Sequence, residues 1–147
     1  MSVKTATVTW LRDQTFLGEA GGHGLLMDNP VDGNDRRAPS PMELLLMALA
    51  GCAAIDVVSI LKKKRQALTD LAIAVEGELV EEHPMRFARI HMTFEARGKN
   101  LSPAAVERAV QLSEEKYCSV AASLRQPVEI HSEVRVLEDE TGEGTEG

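Results

Sequence analysis

The chain has 147 residues, of which 44% are hydrophobic and 3% aromatic, and a formal net charge of −7. This length is typical of one domain with its own hydrophobic core. The net negative charge argues against nucleic-acid binding, which usually needs a basic face. The longest uncharged run, residues 44–55, is shorter than the roughly 20 apolar residues of a membrane span. No apolar signal-peptide core is visible near the N terminus, so we expect a cytoplasmic protein.

Short strands are predicted in the N-terminal third of the chain. Residues 3–11 alternate polar and apolar side chains, and residues 16–18 and 24–27 have the composition of further short strands. Gly21 and Gly22 lie between the last two and can turn the chain at positive φ. A polar, proline-containing loop is predicted over residues 28–41.

A long central helix is predicted to follow this loop. Ser40 is a natural N-cap, Pro41 suits the first helical position, and Glu43 completes a capping box. Apolar residues then occur almost all round the helix, which a basic run at residues 62–65 ends. Gly51 lies in a stretch of small residues, where another backbone could approach closely.

A hairpin, a helix and a last strand are predicted in the second half of the chain. Two alternating strands are predicted on either side of a turn at residues 82–84, and a helix begins after Ser102. A strand over residues 128–136 and an acidic, disordered tail over 138–147 are expected. The order strands–helix–hairpin–helix–strand predicts a single α+β domain over residues 1–137, with helices packed against antiparallel sheets.

The only two cysteines, Cys52 and Cys118, are the candidate redox residues. A cysteine inside an apolar helix, such as Cys52, is often a small core residue, and it reacts only beside a cation. Cys118 precedes a short predicted helix whose N terminus would favour a thiolate, although it could equally fill the core. Asp56, one turn after Cys52, is an isolated charge expected to pair across an interface or to face a solvated edge.

No metal or cofactor site is expected from residue spacing. The four histidines and two cysteines form neither a His-x-x-x-His nor a Cys-x-x-Cys pattern, and no phosphate-binding glycine loop is present. Glu43 lies nine residues before Cys52, about 13 Å along a helix axis. The two side chains therefore cannot touch directly, but a long arginine held by Glu43 could reach towards the thiol.

Three segments carry a resemblance to a known family. They are Ala-Pro-Ser-Pro-Met-Glu (38–43), Ala-Ile-Asp-Val-Val-Ser-Ile-Leu (54–61) and Glu-Lys-Tyr-Cys-Ser-Val (115–120). These segments resemble the OsmC/Ohr family of thiol-dependent hydroperoxide reductases, and most closely its YhfA-type branch. The resemblance covers about residues 3–137. It implies an OsmC-like fold, with antiparallel sheets around a long central helix, and an intertwined homodimer with active sites at its interface.

The resemblance also implies roles for individual residues. Cys52 would attack the peroxide and become a sulfenic acid, and Cys118 would resolve it as a disulfide. Glu43 would hold an arginine against the attacking thiolate. Residues 15–35 contain no arginine, which leaves Arg12, Arg36 and Arg37 as candidates, and Arg37 is our first choice because it is nearest Glu43 in the sequence.

We therefore expect a peroxiredoxin-like enzyme of the oxidative stress response that reduces organic hydroperoxides. A small dithiol or a thioredoxin-like protein would regenerate its thiols. Two alternatives remain open on the sequence alone. One is a non-catalytic dimer that binds a small apolar molecule between its subunits, and the other is a redox sensor that forms the disulfide without turnover.

Overall fold

The computed structural model describes residues 2–29 and 35–139 of an α+β chain. Three short strands, β1 (Thr7–Arg12), β2 (Thr15–Ala20) and β3 (His23–Met27), form an antiparallel sheet in the order β1-β2-β3. A second antiparallel sheet and three α-helices form the rest of the described chain. The predicted α+β class is confirmed.

The turn between β2 and β3 is formed by the two glycines predicted for it. Gly21 has φ 59° and Gly22 has φ 80°, and Ala20 pairs with His23 across the turn. Two-residue hairpin loops with positive φ match the twist of the flanking strands, which is why glycine is favoured there. The sheet itself leaves large apolar side chains in solvent, with Trp10 65% exposed and Val8 59% exposed.

The long helix, α1 (Pro41–Lys63), begins as the sequence predicts. The Ser40 hydroxyl accepts a hydrogen bond from the Glu43 backbone N–H, and the Glu43 carboxylate accepts one from the Ser40 backbone N–H. Both halves of the capping box are therefore formed, which satisfies two of the N–H groups that a helix start leaves unpaired. Lys62 and Lys63 occupy the last turn, where the helix dipole favours positive charge.

A long hairpin, β4 (Ala67–Leu79) and β5 (Phe87–Lys99), supports α1. Ile73 lies opposite Phe94 and Val75 opposite Met92, so one face of the hairpin is apolar while the residues between them are exposed. This is the alternation expected when an antiparallel sheet buries one side. The predicted hairpin and its buried face are confirmed.

The remaining elements are α2 (Pro103–Leu112), a π-helical turn (Ser113–Tyr117) and α3 (Ser119–Arg125). They complete two small core clusters along α1. One contains Val57, Leu61 and Ala109, and the other contains Leu49, Ala53, Cys118 and Ala121. By length and composition alone α1 could cross a membrane, but these clusters show that one of its sides is part of a packed core.

The other side of α1 is exposed in the single chain. Met47, Gly51, Ile55 and Val58 lie on this face, and Ile55 is 70% exposed. The helix is apolar almost all round, as the sequence shows, but only one of its sides is covered by the described residues of a single chain. A stripe of this kind would be buried only by a further layer that residues 2–29 and 35–139 do not supply.

The predicted last strand is also not formed within the chain. Residues 127–139 have no strand partner among the described residues, and Ile130, Val134 and Val136 are 83%, 84% and 90% exposed. The alternation of side chains is present, but none of the strands that the structure describes pairs with this segment to complete its backbone hydrogen bonds. Most of the predicted tail, residues 140–147, lies outside the described residues.

Candidate active site

The fold brings the two cysteines together. Their sulfur atoms and a carboxylate oxygen of Asp56 all lie within 4.8 Å of one another, and both cysteines are free thiols. Cys52 is half-buried in the middle of α1, and Cys118 is buried where α3 begins. Two residues 66 positions apart in the sequence therefore meet because α3 packs against α1.

The π-helical turn sets the position of Cys118. The turn ends with the Cys118 backbone N–H donating to the Ser113 carbonyl at 2.8 Å, after which the backbone at Cys118 becomes extended. This change of direction allows Cys118 to act as the N-cap of α3. Its sulfur accepts a hydrogen bond from the Ala121 N–H at 3.4 Å. The short helix predicted after Cys118 is confirmed, and the thiol lies at its N terminus.

The pKa of Cys118 is nevertheless raised above that of an ordinary thiol. Burial is the largest cause, because it disfavours the charged form, and the Ala121 hydrogen bond opposes it only in part. Cys52 and Asp56 raise the pKa further, through a hydrogen bond from the Cys118 thiol to Cys52 and through their negative charges. The N terminus of α3 therefore favours a Cys118 thiolate as expected, through the Ala121 N–H, but burial outweighs this effect and raises the pKa of Cys118.

Asp56 finds a partner within its own chain. The Ser113 hydroxyl donates to its carboxylate at 2.8 Å, and the side chain is half-buried, so Asp56 does not simply face a solvated edge. Pairing across an interface, the other alternative, stays a prediction. Because residues four apart share one face of a helix, Asp56 lies one turn from Cys52 on the side that faces Cys118. The signal was visible in the sequence as a single charge within an apolar helix.

Glu43 forms its ion pair with Arg36 and not with Arg37. The Arg36 guanidinium contacts the Glu43 carboxylate, whereas Arg37 pairs with Asp13 at 3.5 Å and donates to Thr15 at 3.2 Å. The first choice of Arg37 as the partner of Glu43 is thus corrected to Arg36. The reason is geometric, since the Arg37 backbone N–H is held by the buried Asp28 and its side chain is directed to β2 and the β1–β2 turn.

Two cavities border these groups. A cavity of about 960 Å³ lies beside Cys118 and is walled by α1, the hairpin turn and α3. Its lining mixes apolar side chains with polar ones, among them Arg86, Arg89 and Arg125. A second cavity of about 550 Å³ lies at the start of α1 and is bordered by Arg36, Arg37 and Glu43. Within one chain, Cys118 and the arginine–glutamate pair therefore border different cavities, and Cys52 lines neither of the two.

Comparison with known proteins places this arrangement in a family. A family model described as "OsmC-like protein" matches residues 32–133, a span that contains both cysteines, Asp56 and the capping box. The chain belongs to the OsmC-like family. The family recognised from the sequence motifs is thereby confirmed. It supports a redox role related to stress, which the two adjacent thiols fit.

Individual relatives of this OsmC-like chain cover most of its length. Protein YhfA of Escherichia coli (strain K12) is 49% identical over 133 residues, which cover 90% of this chain and 97% of that protein. The crystal structure of a hypothetical protein from Aquifex aeolicus VF5 is 36% identical, with a TM-score of 0.76 over 85% of this chain and 89% of that one.

A third relative carries a functional description. An organic hydroperoxide resistance protein OsmC from Legionella pneumophila aligns with a TM-score of 0.59 over 85% of this chain and 90% of that one. Its sequence is 18% identical, so the likeness shows a shared fold and no more.

Proposed function

We propose that this OsmC-like protein is a cysteine-based peroxidase that reduces organic hydroperoxides. The observation that carries the proposal is the approach of the Cys52 and Cys118 sulfurs to within 4.8 Å of each other. Two free thiols at this separation need only a small side-chain adjustment to form a disulfide. The printed description of the Legionella relative, hydroperoxide resistance, points to the same chemistry.

The proposed cycle has two steps on the protein. The Cys52 thiolate attacks the terminal oxygen of the hydroperoxide and the O–O bond breaks, which gives a Cys52 sulfenic acid and an alkoxide. The alkoxide leaves as an alcohol after taking up the proton that the Cys52 thiol released to solvent. The Cys118 sulfur then attacks the Cys52 sulfur, and the sulfenic oxygen leaves as water after accepting the Cys118 proton. The peroxide takes up the two electrons that the dithiol loses. A small dithiol or a thioredoxin-like donor would return them.

The activation of Cys52 favours a homodimer. A buried thiolate needs a cation beside it, yet the Arg36–Glu43 pair lies at the start of α1, about 13 Å from Cys52 along the helix axis. A second copy of the chain, with its long helix antiparallel along the exposed face of α1, would bring its own Arg36–Glu43 pair towards Cys52. The site would then be complete only at the interface.

The exposed surface of the single chain supports the same assembly. Large apolar side chains are exposed on the α1 face, on the three-stranded sheet and over residues 128–136. Contiguous exposed apolar surface of this kind is typical of a protein–protein interface, and obligate homodimers bury it between their subunits.

The cavity beside Cys118 supports the choice of an organic substrate. Its walls include Leu45, Leu49, Phe87, Ile90 and Leu124, which would suit the apolar body of an organic hydroperoxide better than hydrogen peroxide. Cys52 does not line this cavity, but its sulfur lies within 4.8 Å of the Cys118 sulfur that does. We place the enzyme in the cytoplasm, where a reducing environment would keep its two cysteines available for turnover.

Peroxide consumption with a dithiol reductant tests this function. We expect the reduced protein to consume cumene hydroperoxide catalytically, and Cys52→Ser to abolish turnover. Cys118→Ser should form a sulfenic acid on Cys52 that a dimedone label captures. Since the chain has only two cysteines, a mass loss of two hydrogens without reductant reports the Cys52–Cys118 disulfide directly.

The same experiment can overturn the proposal. Thiols that stay reduced in excess peroxide would exclude peroxidase chemistry. A single stoichiometric oxidation without turnover, with every dithiol and thioredoxin-like donor tried, would identify a redox sensor instead.

A further inference from the structure

We propose that Cys52, Asp56 and Cys118 of the reduced protein bind one Zn²⁺ ion per chain. The three side chains supply two sulfurs and one oxygen, which is a donor set that zinc accepts. They converge from α1 and from the start of α3, so the site is formed by the fold and not by a local sequence motif.

The separations of the ligand atoms fit a tetrahedral ion. Zinc holds sulfur at about 2.3 Å and carboxylate oxygen at about 2.0–2.2 Å, so neighbouring ligands in such a site lie about 3.5–3.8 Å apart. The three donor atoms already lie within 4.8 Å of one another. Side-chain rotations that bring these atoms up to about 1 Å closer to one another would complete the contacts.

Two of the three ligands are already oriented by neighbouring groups. Ser113, which is fully buried, donates to one oxygen of the Asp56 carboxylate and leaves the other oxygen available. The Ala121 N–H donates to the Cys118 sulfur. Hydrogen bonds of this kind fix the direction of metal ligands and strengthen binding.

The electrostatics of the cluster also favour a cation. Two thiol groups and one carboxylate lie within 4.8 Å of one another. A divalent ion would displace the two thiol protons and neutralise two of the three resulting charges. The three protein ligands would leave the fourth position of a tetrahedral ion for water, and Cys52 and Asp56 are only half-buried.

The sequence did not indicate this site because its donors follow no common zinc spacing. Cys52 and Asp56 are four residues apart on one helix face, which is the separation that the two histidines of a His-x-x-x-His pair have. The third ligand lies 66 residues after Cys52. Because zinc would occupy the same sulfur lone pairs that attack a peroxide, a zinc-loaded site would protect the thiols from oxidation.

Titration of the reduced, chelator-treated full-length protein with ZnCl₂ tests the inference. Calorimetry should give one ion per chain, with release of protons, and Co²⁺ in place of Zn²⁺ should give the visible bands of a tetrahedral sulfur-ligated ion. Cys52→Ser and Cys118→Ser should each abolish stoichiometric binding. Asp56→Ala should weaken binding about tenfold or more, since even outer partners of metal ligands contribute that much.

Matched variants decide the outcome. Asp70→Ala removes an exposed carboxylate of β4 and should leave the affinity unchanged. Asp56→Asn, which keeps the side-chain shape and an acceptor for Ser113, covers the case in which Asp56→Ala fails to fold. The inference is overturned if the wild type binds no stoichiometric zinc, or if both Asp56 variants bind it as tightly as the wild type. Peroxide is absent throughout, so failure of the peroxidase proposal leaves the result unaffected.

Discussion

The buried Ser113 hydroxyl donates a hydrogen bond of 2.8 Å to the Asp56 carboxylate, and this contact joins the two segments that carry the cysteines. Asp56 follows Cys52 by one turn of α1, and Ser113 begins the turn that ends at Cys118. This hydrogen bond therefore helps to keep the Cys52 and Cys118 sulfurs, which attack and resolve in the proposed cycle, close to each other.

Ser113→Ala should weaken the contact between the two segments that carry the cysteines. The change leaves the half-buried Asp56 carboxylate without its donor, and we expect a loss of about 1 kcal/mol in the free energy of unfolding. Formation of the Cys52–Cys118 disulfide by a mild oxidant should slow as well. Urea unfolding and timed alkylation of free thiols measure the two effects. Ser123→Ala removes an exposed hydroxyl of α3 that donates to a helix carbonyl, and should change neither.

Asp56→Asn should make Cys118 more acidic. In a Cys52→Ser background, burial and the negative charge of Asp56 both raise the pKa of the Cys118 thiol, so removing that charge lowers it. The pH profile of iodoacetamide alkylation should shift to lower pH in the double variant. An unchanged profile would show that the carboxylate does not act on this thiol.

The same raised pKa predicts a loss of stability at high pH. A group whose pKa is higher in the folded than in the unfolded state stabilises the fold while it remains protonated. That contribution is complete below the ordinary pKa of a thiol and disappears as the pH rises through the raised pKa of Cys118. The free energy of unfolding of the reduced protein should therefore fall in the alkaline range more steeply than that of Cys118→Ser.

Arg36→Ala should slow the oxidation of Cys52 in the proposed dimer. Loss of the guanidinium that Glu43 holds would remove the cation that the proposed dimer brings to the Cys52 thiolate, and a thiolate without a cation is a less available nucleophile. Stopped-flow measurement of sulfenic acid formation in Cys118→Ser reports the rate. Arg37→Ala removes the bonds to Asp13 and Thr15 instead and should leave this rate near that of the parent. A larger effect of Arg37→Ala would reverse the assignment.

Gly51→Leu should dissociate the proposed dimer. A Cβ at this position would meet no atom within 4 Å in the single chain, so the described residues of one chain leave space there and a second subunit would fill it. In a monomer, Gly51→Ala and Gly51→Leu would both stabilise α1, because glycine is a poor helix former. Sedimentation equilibrium separates the cases, since two subunits packed on this face would tolerate alanine better than leucine.

Local chemistry made the fold largely predictable from the sequence. Three features depend only on residues that are neighbours in the sequence, and each is found as expected. They are the Ser40–Glu43 capping box, the Gly21–Gly22 turn and the alternation of Ile73 and Val75. The predicted strand over residues 128–136 is not formed. A strand needs a partner edge for its backbone hydrogen bonds, and the side-chain pattern of one segment does not show whether such an edge lies beside it.

The site was predictable only in part for the same reason. Cys52, Cys118 and Glu43 were identified, and the structure brings the two thiols together. The choice between Arg36 and Arg37 depends on which one the buried Asp28 restrains, and that contact is invisible in the sequence. Asp56 was noticed as an isolated charge, but its neighbours Ser113 and Cys118 come from a distant segment.

The unequal burial along the chain has a kinetic consequence. The hairpin and α1 form a core from contacts within one chain. The exposed face around Gly51 and the apolar side chains of residues 128–136 would be buried only by the proposed second copy. Refolding from denaturant should therefore begin with a first-order phase whose rate is independent of protein concentration. A second-order phase should follow, and it should accelerate in proportion to the concentration of chains.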